Sequence, residues 1–194
     1  MDQEVVLNEF RAAGALLEGH FKLSSGLHSP VYLQCAKVLM DPKRAGKLCA
    51  AFAEKLKATG VQVDLVVSPA MGGVIVGYEV ARQLGVSGIF TERVDGEFAL
   101  RRGFEIPKGA RILMMEDIIT TGLSSRECIK TITEWGGEVV AAGCLINRSG
   151  GKAEVGAPIT ALATIDAPTY KTEDLPDAMK AVTAVKPGSR DIKS

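Results

Sequence analysis

Residues Ile112-Leu113-Met114-Met115-Glu116-Asp117-Ile118-Ile119-Thr120-Thr121-Gly122-Leu123-Ser124 decide how the rest of this chain is read. Four apolar residues make a run that suits a buried parallel strand, and two adjacent carboxylates follow where that strand is expected to end. A helix is predicted beyond Thr120-Thr121-Gly122. Ser124 can cap it, Glu127 stands three residues on as in a capping box, and Cys128, Ile129, Ile132 and Trp135 share one face until Gly136-Gly137. A hydroxyl-rich glycine turn at a helix N-terminus offers backbone N–H groups, two hydroxyls and the favourable end of the helix dipole to a phosphate. The carboxylates would repel that phosphate, so they are assigned to sugar hydroxyls or to a Mg²⁺ beside a phosphorylated sugar. The competing reading is a solvated Glu-Asp ahead of an ordinary capped helix.

Composition narrows the partners. A chain of 194 residues fits one compact domain. Lys+Arg and Asp+Glu balance at 23 each, which leaves no global positive charge for nucleic acid. No apolar run reaches the length of a membrane span. Small molecules are the expected partners. The acidic start, Met1-Asp2-Gln3-Glu4, is unlike a signal peptide, so a cytoplasmic protein is expected. Cys35, Cys49, Cys128 and Cys144 show no Cys-x-x-Cys spacing and read as reduced core thiols, not ligands or disulfides. Neither Gly-x-Gly-x-x-Gly after a strand nor a Walker loop is present, which weakens dehydrogenase and NTPase readings.

In chain order, Val6, Phe10, Ala13 and Leu17 predict a helix that Gly19 ends. Phe21 and Leu23, then Val31 and Leu33, alternate about Ser24-Ser25-Gly26 as in a hairpin, with His20, Lys22 and His28 near its turn. Those side chains suit either the cover of an anionic site or an exposed turn. Asp41-Pro42 opens a helix whose buried face is Ala45, Leu48, Cys49, Phe52 and Leu56. A strand over 63–67 leads through Gly72-Gly73 into a helix bearing Val74, Ile75, Ala81 and Leu84. That glycine pair is a candidate pyrophosphate turn or a tight turn of small residues. After a strand over 86–90, residues 91–108 carry Arg93, Arg101 and Arg102 among acids. Phe98 and Leu100 before Arg101-Arg102-Gly103, with Phe104 and Ile106 after, predict a hairpin with a charged tip, or a mobile basic lid over a phosphoryl-rich substrate. A strand over 138–146 ends at Asn147-Arg148, which puts Arg148 on the same edge as Glu116 and Thr120. An arginine fork matches a planar carboxylate there, although a plain surface arginine is the alternative. A last strand over 159–165 precedes a tail with Pro168, Pro176 and Pro187, expected to lie as short elements against the hairpin. Strands interleaved mostly with helices make an α/β protein with a largely parallel sheet.

The central stretch resembles the phosphoribosyl diphosphate (PRPP) motif of type I phosphoribosyltransferases. The pattern Phe21-x-Leu23-Ser24-Ser25-Gly26-x-x-Ser29-Pro30-x-Tyr32 is similar to the N-terminal hood of orotate phosphoribosyltransferases. The resemblance implies the type I fold over residues 1–194, a largely parallel central sheet flanked by helices. It adds a small hood, built mainly from about 1–36 and the C-terminal tail, and a flexible lid loop. It implies transfer from PRPP to orotate, giving orotidine 5′-monophosphate and diphosphate for UMP synthesis. Mg²⁺ is the implied cofactor, held through PRPP oxygens and water with no direct protein ligand. A homodimer is implied, with the lid acting in trans. PRPP then falls to Glu116, Asp117, Ile118, Ile119, Thr120, Thr121, Gly122, Leu123, Ser124, Gly72, Gly73 and Arg93. Orotate falls to Thr120, Arg148, Ser25, Gly26 and Tyr32, and the catalytic roles to Asp117, Arg93 and Arg102. The chain departs from the better-known form of the family: Ser24 and Gly72 stand where lysines are usual, and the loop has arginines but no histidine. Either Lys22, Arg101 and Arg102 carry the redistributed charge, or activity has been lost. A phosphoribosyltransferase for another base, and a non-catalytic PRPP sensor that binds nucleic acid, are the alternatives.

Overall fold

Asp2 caps the first helix, its carboxylate accepting from the Val5 amide at 2.9 Å, and α1 (Gln3–Ala12) buries Val6, Leu7 and Phe10. The computed structural model describes residues 1–23 and 25–187, so Ser24 lies outside the described residues. The helix ends earlier than its apolar spacing predicts. Gly14 turns left-handed at φ +61°, and Leu17, expected on the helix face, stands part-exposed in a strand. That strand, β1 (Leu16–Lys22), pairs antiparallel with β2 (His28–Leu33). After α2 (Ala36–Leu39), the Asp41 carboxylate accepts from the Lys43 and Arg44 amides and starts α3 (Pro42–Lys57) on its proline. There follow β3 (Leu65–Pro69), α4 (Gly72–Leu84), β4 (Ser87–Val94), β5 (Glu97–Leu100) and β6 (Arg111–Ile119). The chain closes with α5 (Leu123–Glu134), β7 (Glu138–Asn147), β8 (Ile159–Thr164), a 3-10 turn over Thr172–Asp174 and α6 (Asp177–Lys180).

The larger sheet has the order β5-β4-β3-β6-β7-β8, parallel throughout except for the β4–β5 pair. β6 lies inside it, between β3 and β7, and both its faces are covered. Leu113 and Met115 join the core under α1, α3 and α4, while Ile112 and Met114 join the core under α5. A strand with two covered faces has no polar side to show, which is why this run is continuously apolar. Each of these wholly buried side chains contributes about 1.5–3 kcal/mol relative to exposure. The four cysteines are free and buried, and burial pushes the Cys49, Cys128 and Cys144 thiols up to about 12. The helix face predicted to include Trp135 stops short of it, since Trp135 is the C-cap of α5 and half exposed. Ile75 of α4 likewise points outward.

The segment over 91–108 folds differently from expectation. Its reversal falls at Asp95-Gly96, where φ values of +52° and +91° match a tight hairpin turn, and Val94 pairs with Glu97. Phe98 and Leu100 are buried beneath α5 as part of β5, and Arg101-Arg102-Gly103 makes a second turn on the way to β6 instead of the hairpin tip. The tail meets the small hairpin through backbone bonds: Val185 N to His20 O at 2.8 Å, Lys22 N to Val185 O at 2.9 Å, and His28 with Tyr170 in both directions. His20 and His28 are buried there and do not face an anion. The Val182 carbonyl can only accept, so His20 Nδ1 donates to it at 2.8 Å; in the neutral ring Nε2 then accepts from His28 Nδ1 at 2.6 Å, and Thr172 closes the chain on His28 Nε2 at 3.3 Å.

Candidate active site

β6 does not end at its carboxylates but runs on to Ile119, so Glu116 and Asp117 are successive strand residues and leave the sheet on opposite faces. Glu116 turns toward α5, where the Ser125 hydroxyl donates to its Oε2. It is 9 % exposed, and burial pushes its carboxyl up to about 7 against the opposing pull of that hydrogen bond, with Asp117 adding to the rise. Asp117 turns toward α4. A Cβ on Gly72 would lie 3.0 Å from Asp117 Oδ1, so the start of α4 rests against this carboxylate. Burial raises the Asp117 carboxyl as well, although Oδ1 accepts the Ile118 amide at 2.8 Å. Gly73 faces Met115 O and Gly77 faces the Ser68 side chain, where a Cβ would meet them at 3.0 and 1.9 Å.

Thr120 and Thr121 emerge exposed beyond β6, and Gly122 takes φ +75° at the N-cap of α5. The helix therefore begins one residue before Ser124, which does not cap it, and Thr121 Oγ1 instead accepts weakly from the Leu123 amide at 3.4 Å. First-turn amides have no partner within their own helix. Glu127 is not part of a capping box either, because it binds Arg93. A residue that sequence reasoning missed holds the turn: Arg126 Nη1 donates to Thr121 O at 3.0 Å and Glu154 O at 2.7 Å. Beside it opens a cavity of about 610 Å³, lined by Thr120, Thr121, Arg126, Ser149, Lys152 and Glu154 among others. Arg126 lies one helical turn past Gly122, a signal readable once the helix start is placed; Lys152 carried none.

Arg148 sits where expected. Its amide donates to Ile119 O at 2.8 Å, which fixes it beside the end of β6. Nη2 donates to Ser29 Oγ at 2.9 Å and to Val31 O at 3.4 Å, joining the sheet to the hairpin, while the buried Nε has no partner among the described residues. Burial lowers the pKa of this half-buried guanidinium. One arm of its fork is thus already engaged. Tyr32 follows Val31 and packs on Phe21 with ring centroids 5.8 Å apart. Ser25 and Gly26 are exposed in the β1–β2 turn, and their hydrogen bonds stay within residues 23–27.

The two arginines expected to act are held elsewhere. Arg93 donates to Glu127 Oε2 and Gly96 O, both at 2.5 Å, and lies 4.2 Å over the Phe98 ring. Arg102 donates to Glu92 Oε1 at 2.5 Å and 3.1 Å. In these pairings neither arginine contacts Asp117 or the Thr-Thr-Gly turn. Among the described residues no group of three His, Cys, Asp or Glu side chains could hold a metal ion.

A model of the phosphoribosyl transferase domain matches residues 37–173. The chain is 58% identical to the orotate phosphoribosyltransferase of Parvibaculum lavamentivorans over 99% of its own length and all of that relative. It is 56% identical to that of Caulobacter vibrioides over the full length of both. Among solved structures it is similar to an orotate phosphoribosyltransferase from Aeropyrum pernix, with TM-score 0.69, 24% identity and coverage of 82% of this chain and 93% of that one. It is also similar to an adenine phosphoribosyltransferase from Saccharomyces cerevisiae, with TM-score 0.64, 19% identity and coverage of 82% and 99%.

Proposed function

This chain belongs to the phosphoribosyl transferase family, and on that premise we propose that it transfers the phosphoribosyl group of PRPP to orotate, giving orotidine 5′-monophosphate and diphosphate. It is an enzyme of pentosyl transfer in pyrimidine synthesis. The observation that supports the reading most is the bond from Arg148 N to Ile119 O, because it sets a guanidinium beside the Thr-Thr-Gly turn on one sheet edge.

During transfer C1 of the ribose gains cationic character as the diphosphate leaves, so the site has to orient two anionic substrates and stabilise the departing charge. The amides of the Thr-Thr-Gly turn hold the 5′-phosphate, and Glu116 and Asp117 accept from the ribose hydroxyls. Mg²⁺ would be held through PRPP oxygens and water and would offset the charge of the departing diphosphate. The orotate carboxylate takes the unpartnered Nε of Arg148 and replaces the long Val31 contact at Nη2. Thr120 and Tyr32 flank the base, and the turn bearing Ser25 and Gly26 folds over it. Gly72 and Gly73 receive the diphosphate. Arg93 and Arg102 exchange Glu127 and Glu92 for the diphosphate as the lid closes. We further read residues 1–194 as one domain whose hood is the hairpin layer with the tail. A second copy covers the face of α4 formed by Met71, Ile75 and Tyr78, which are 85, 51 and 69% exposed, and lends its lid in trans. No helix among the described residues is long and apolar enough to cross a membrane, and we place the enzyme in the cytoplasm.

The test is orotate consumption with PRPP and Mg²⁺, with adenine, hypoxanthine and uracil as competitors, repeated on Arg148→Ala and Arg148→Lys. Arg148→Ala raises the KM for orotate much more than that for PRPP, and lysine rescues part of the loss because it keeps charge without the planar fork. Preference for another base, or a PRPP defect alone, would overturn the assignment.

A further inference from the structure

A buried side-chain bond joins β6 to α5 just behind the Thr-Thr-Gly turn, from Ser125 Oγ to Glu116 Oε2. Ser125 is wholly buried in the first turn of α5. A hydroxyl inside a helix commonly returns its proton to a carbonyl one turn back, as Thr133 does to Ile129 O at 2.9 Å. Ser125 sends its proton across to the strand instead.

The other side chains around Glu116 offer it no support. Asp117 stands next to it on β6, Cys128 comes from α5, and Cys144 is its register partner on β7. Burial pushes both thiols up to about 12, so they stay protonated, and Asp117 carries the same sign of charge as Glu116. No cation is among the groups that shift it. A carboxylate so placed is free to rotate or to take up a proton unless a donor fixes it.

We propose that Ser125 is a positioning residue for PRPP: its hydroxyl pins one oxygen of Glu116, so that the other is presented to the ribose hydroxyls beside the phosphate turn. This rests on the PRPP reading above. The start of α5 then serves two ends of one ligand, its amides meeting the phosphate and its buried hydroxyl aiming the carboxylate that meets the sugar.

Steady-state kinetics with PRPP and orotate, measured across a range of pH on the parent enzyme, Ser125→Ala, Ser125→Cys and Glu116→Gln, test this. Ser125→Ala raises the KM for PRPP about tenfold with a smaller change in kcat, the loss expected for a charge-assisted hydrogen bond. It also moves the acidic limb of kcat/KM for PRPP to higher pH, which a packing defect does not do. Ser125→Cys keeps the volume with a weaker donor, shifts both readouts in the same direction by less, and decides the matter if the alanine variant does not fold. In a Glu116→Gln background, Ser125→Ala produces no further shift of the limb. If the serine variants leave KM and limb in place while Glu116→Gln raises the KM for PRPP, the positioning role falls and the PRPP reading stands. If Glu116→Gln itself leaves PRPP kinetics unchanged, the PRPP role of that carboxylate falls, and the proposal with it.

Discussion

β3 and β6 are parallel neighbours, and each hands over to a helix at the same edge of the sheet, with glycines at or near the helix start. The glycines do different work. Gly122, between β6 and α5, is needed for its backbone: φ is +75°, and a Cβ would also strike Val155 at 2.7 Å. Gly72, Gly73 and Gly77, all within the first turns of α4, have no positive φ. They are needed for closeness, since they let α4 lie directly on Asp117, Met115 and Ser68. The comparison teaches that a glycine near a phosphate turn is not evidence of one kind of site. In one crossing it shapes a loop that remains open to a ligand. In the other it seats a helix against Asp117, the proposed ribose ligand.

If that distinction is right, the packing crossing should fail by contact. Gly77→Ala puts a methyl 1.9 Å from Ser68 Oγ and 2.8 Å from its Cβ, so rotating the serine does not clear it. A loss of about 3 kcal/mol in stability is expected, read from the denaturant midpoint. An unchanged midpoint would mean that α4 is not seated as described.

The carboxylates sharpen the comparison, because each faces a different helix. Glu116, against α5, keeps its proton up to about pH 7 in the folded chain, whereas an ordinary glutamate releases it near 4.5. Between those values the folded state binds more protons than the unfolded one, so stability falls as pH rises through the window and is flat above it. A fall on the order of 3 kcal/mol is expected in the ligand-free protein, and Glu116→Gln should remove most of it. Asp117 is shifted in the same direction and contributes with the same sign. A profile that rises through this window would contradict the burial of the pair.

The open crossing should fail through the ligand and not through the fold. Thr121→Val removes one hydroxyl from an exposed turn and should cost about 1.5 kcal/mol of PRPP affinity, the low end for a hydrogen bond to a charged group. Calorimetric titration with PRPP reads this directly; unaltered affinity would free the turn of its phosphate. Of the two α4 substitutions, Gly72→Ala has the smaller effect on stability, under about 1 kcal/mol, since its new methyl meets Asp117 at 3.0 Å, a distance that a few tenths of an ångström relieve. Its PRPP KM should nonetheless rise, because the displaced group is a proposed ribose ligand. Equal losses of stability from Gly72→Ala and Gly77→Ala would erase the gradient along α4.

Much of this could be read from residues close together in the chain. The strand at 112–115, the Asp41-Pro42 helix start and the glycine turn after Thr121 are properties of local spacing and of single backbones, and they stand where the sequence put them. So does Arg148 at the sheet edge, because a strand's end is a local event. Tertiary structure decided the rest. β6 continues through Glu116 and Asp117 because β7 supplies partners as far as Asn147, and that continuation is what sends the two carboxylates to opposite faces. The reversal at Asp95-Gly96 prevailed over the charged turn at 101–103 because Phe98 and Leu100 could be buried only beneath α5. His20 and His28 met each other and the tail, and Arg148 met Ser29 from 119 positions away. Periodicity reports which face a side chain takes. It carries no term for which distant group will stand opposite, and that choice is made only when the sheet order brings the partners together.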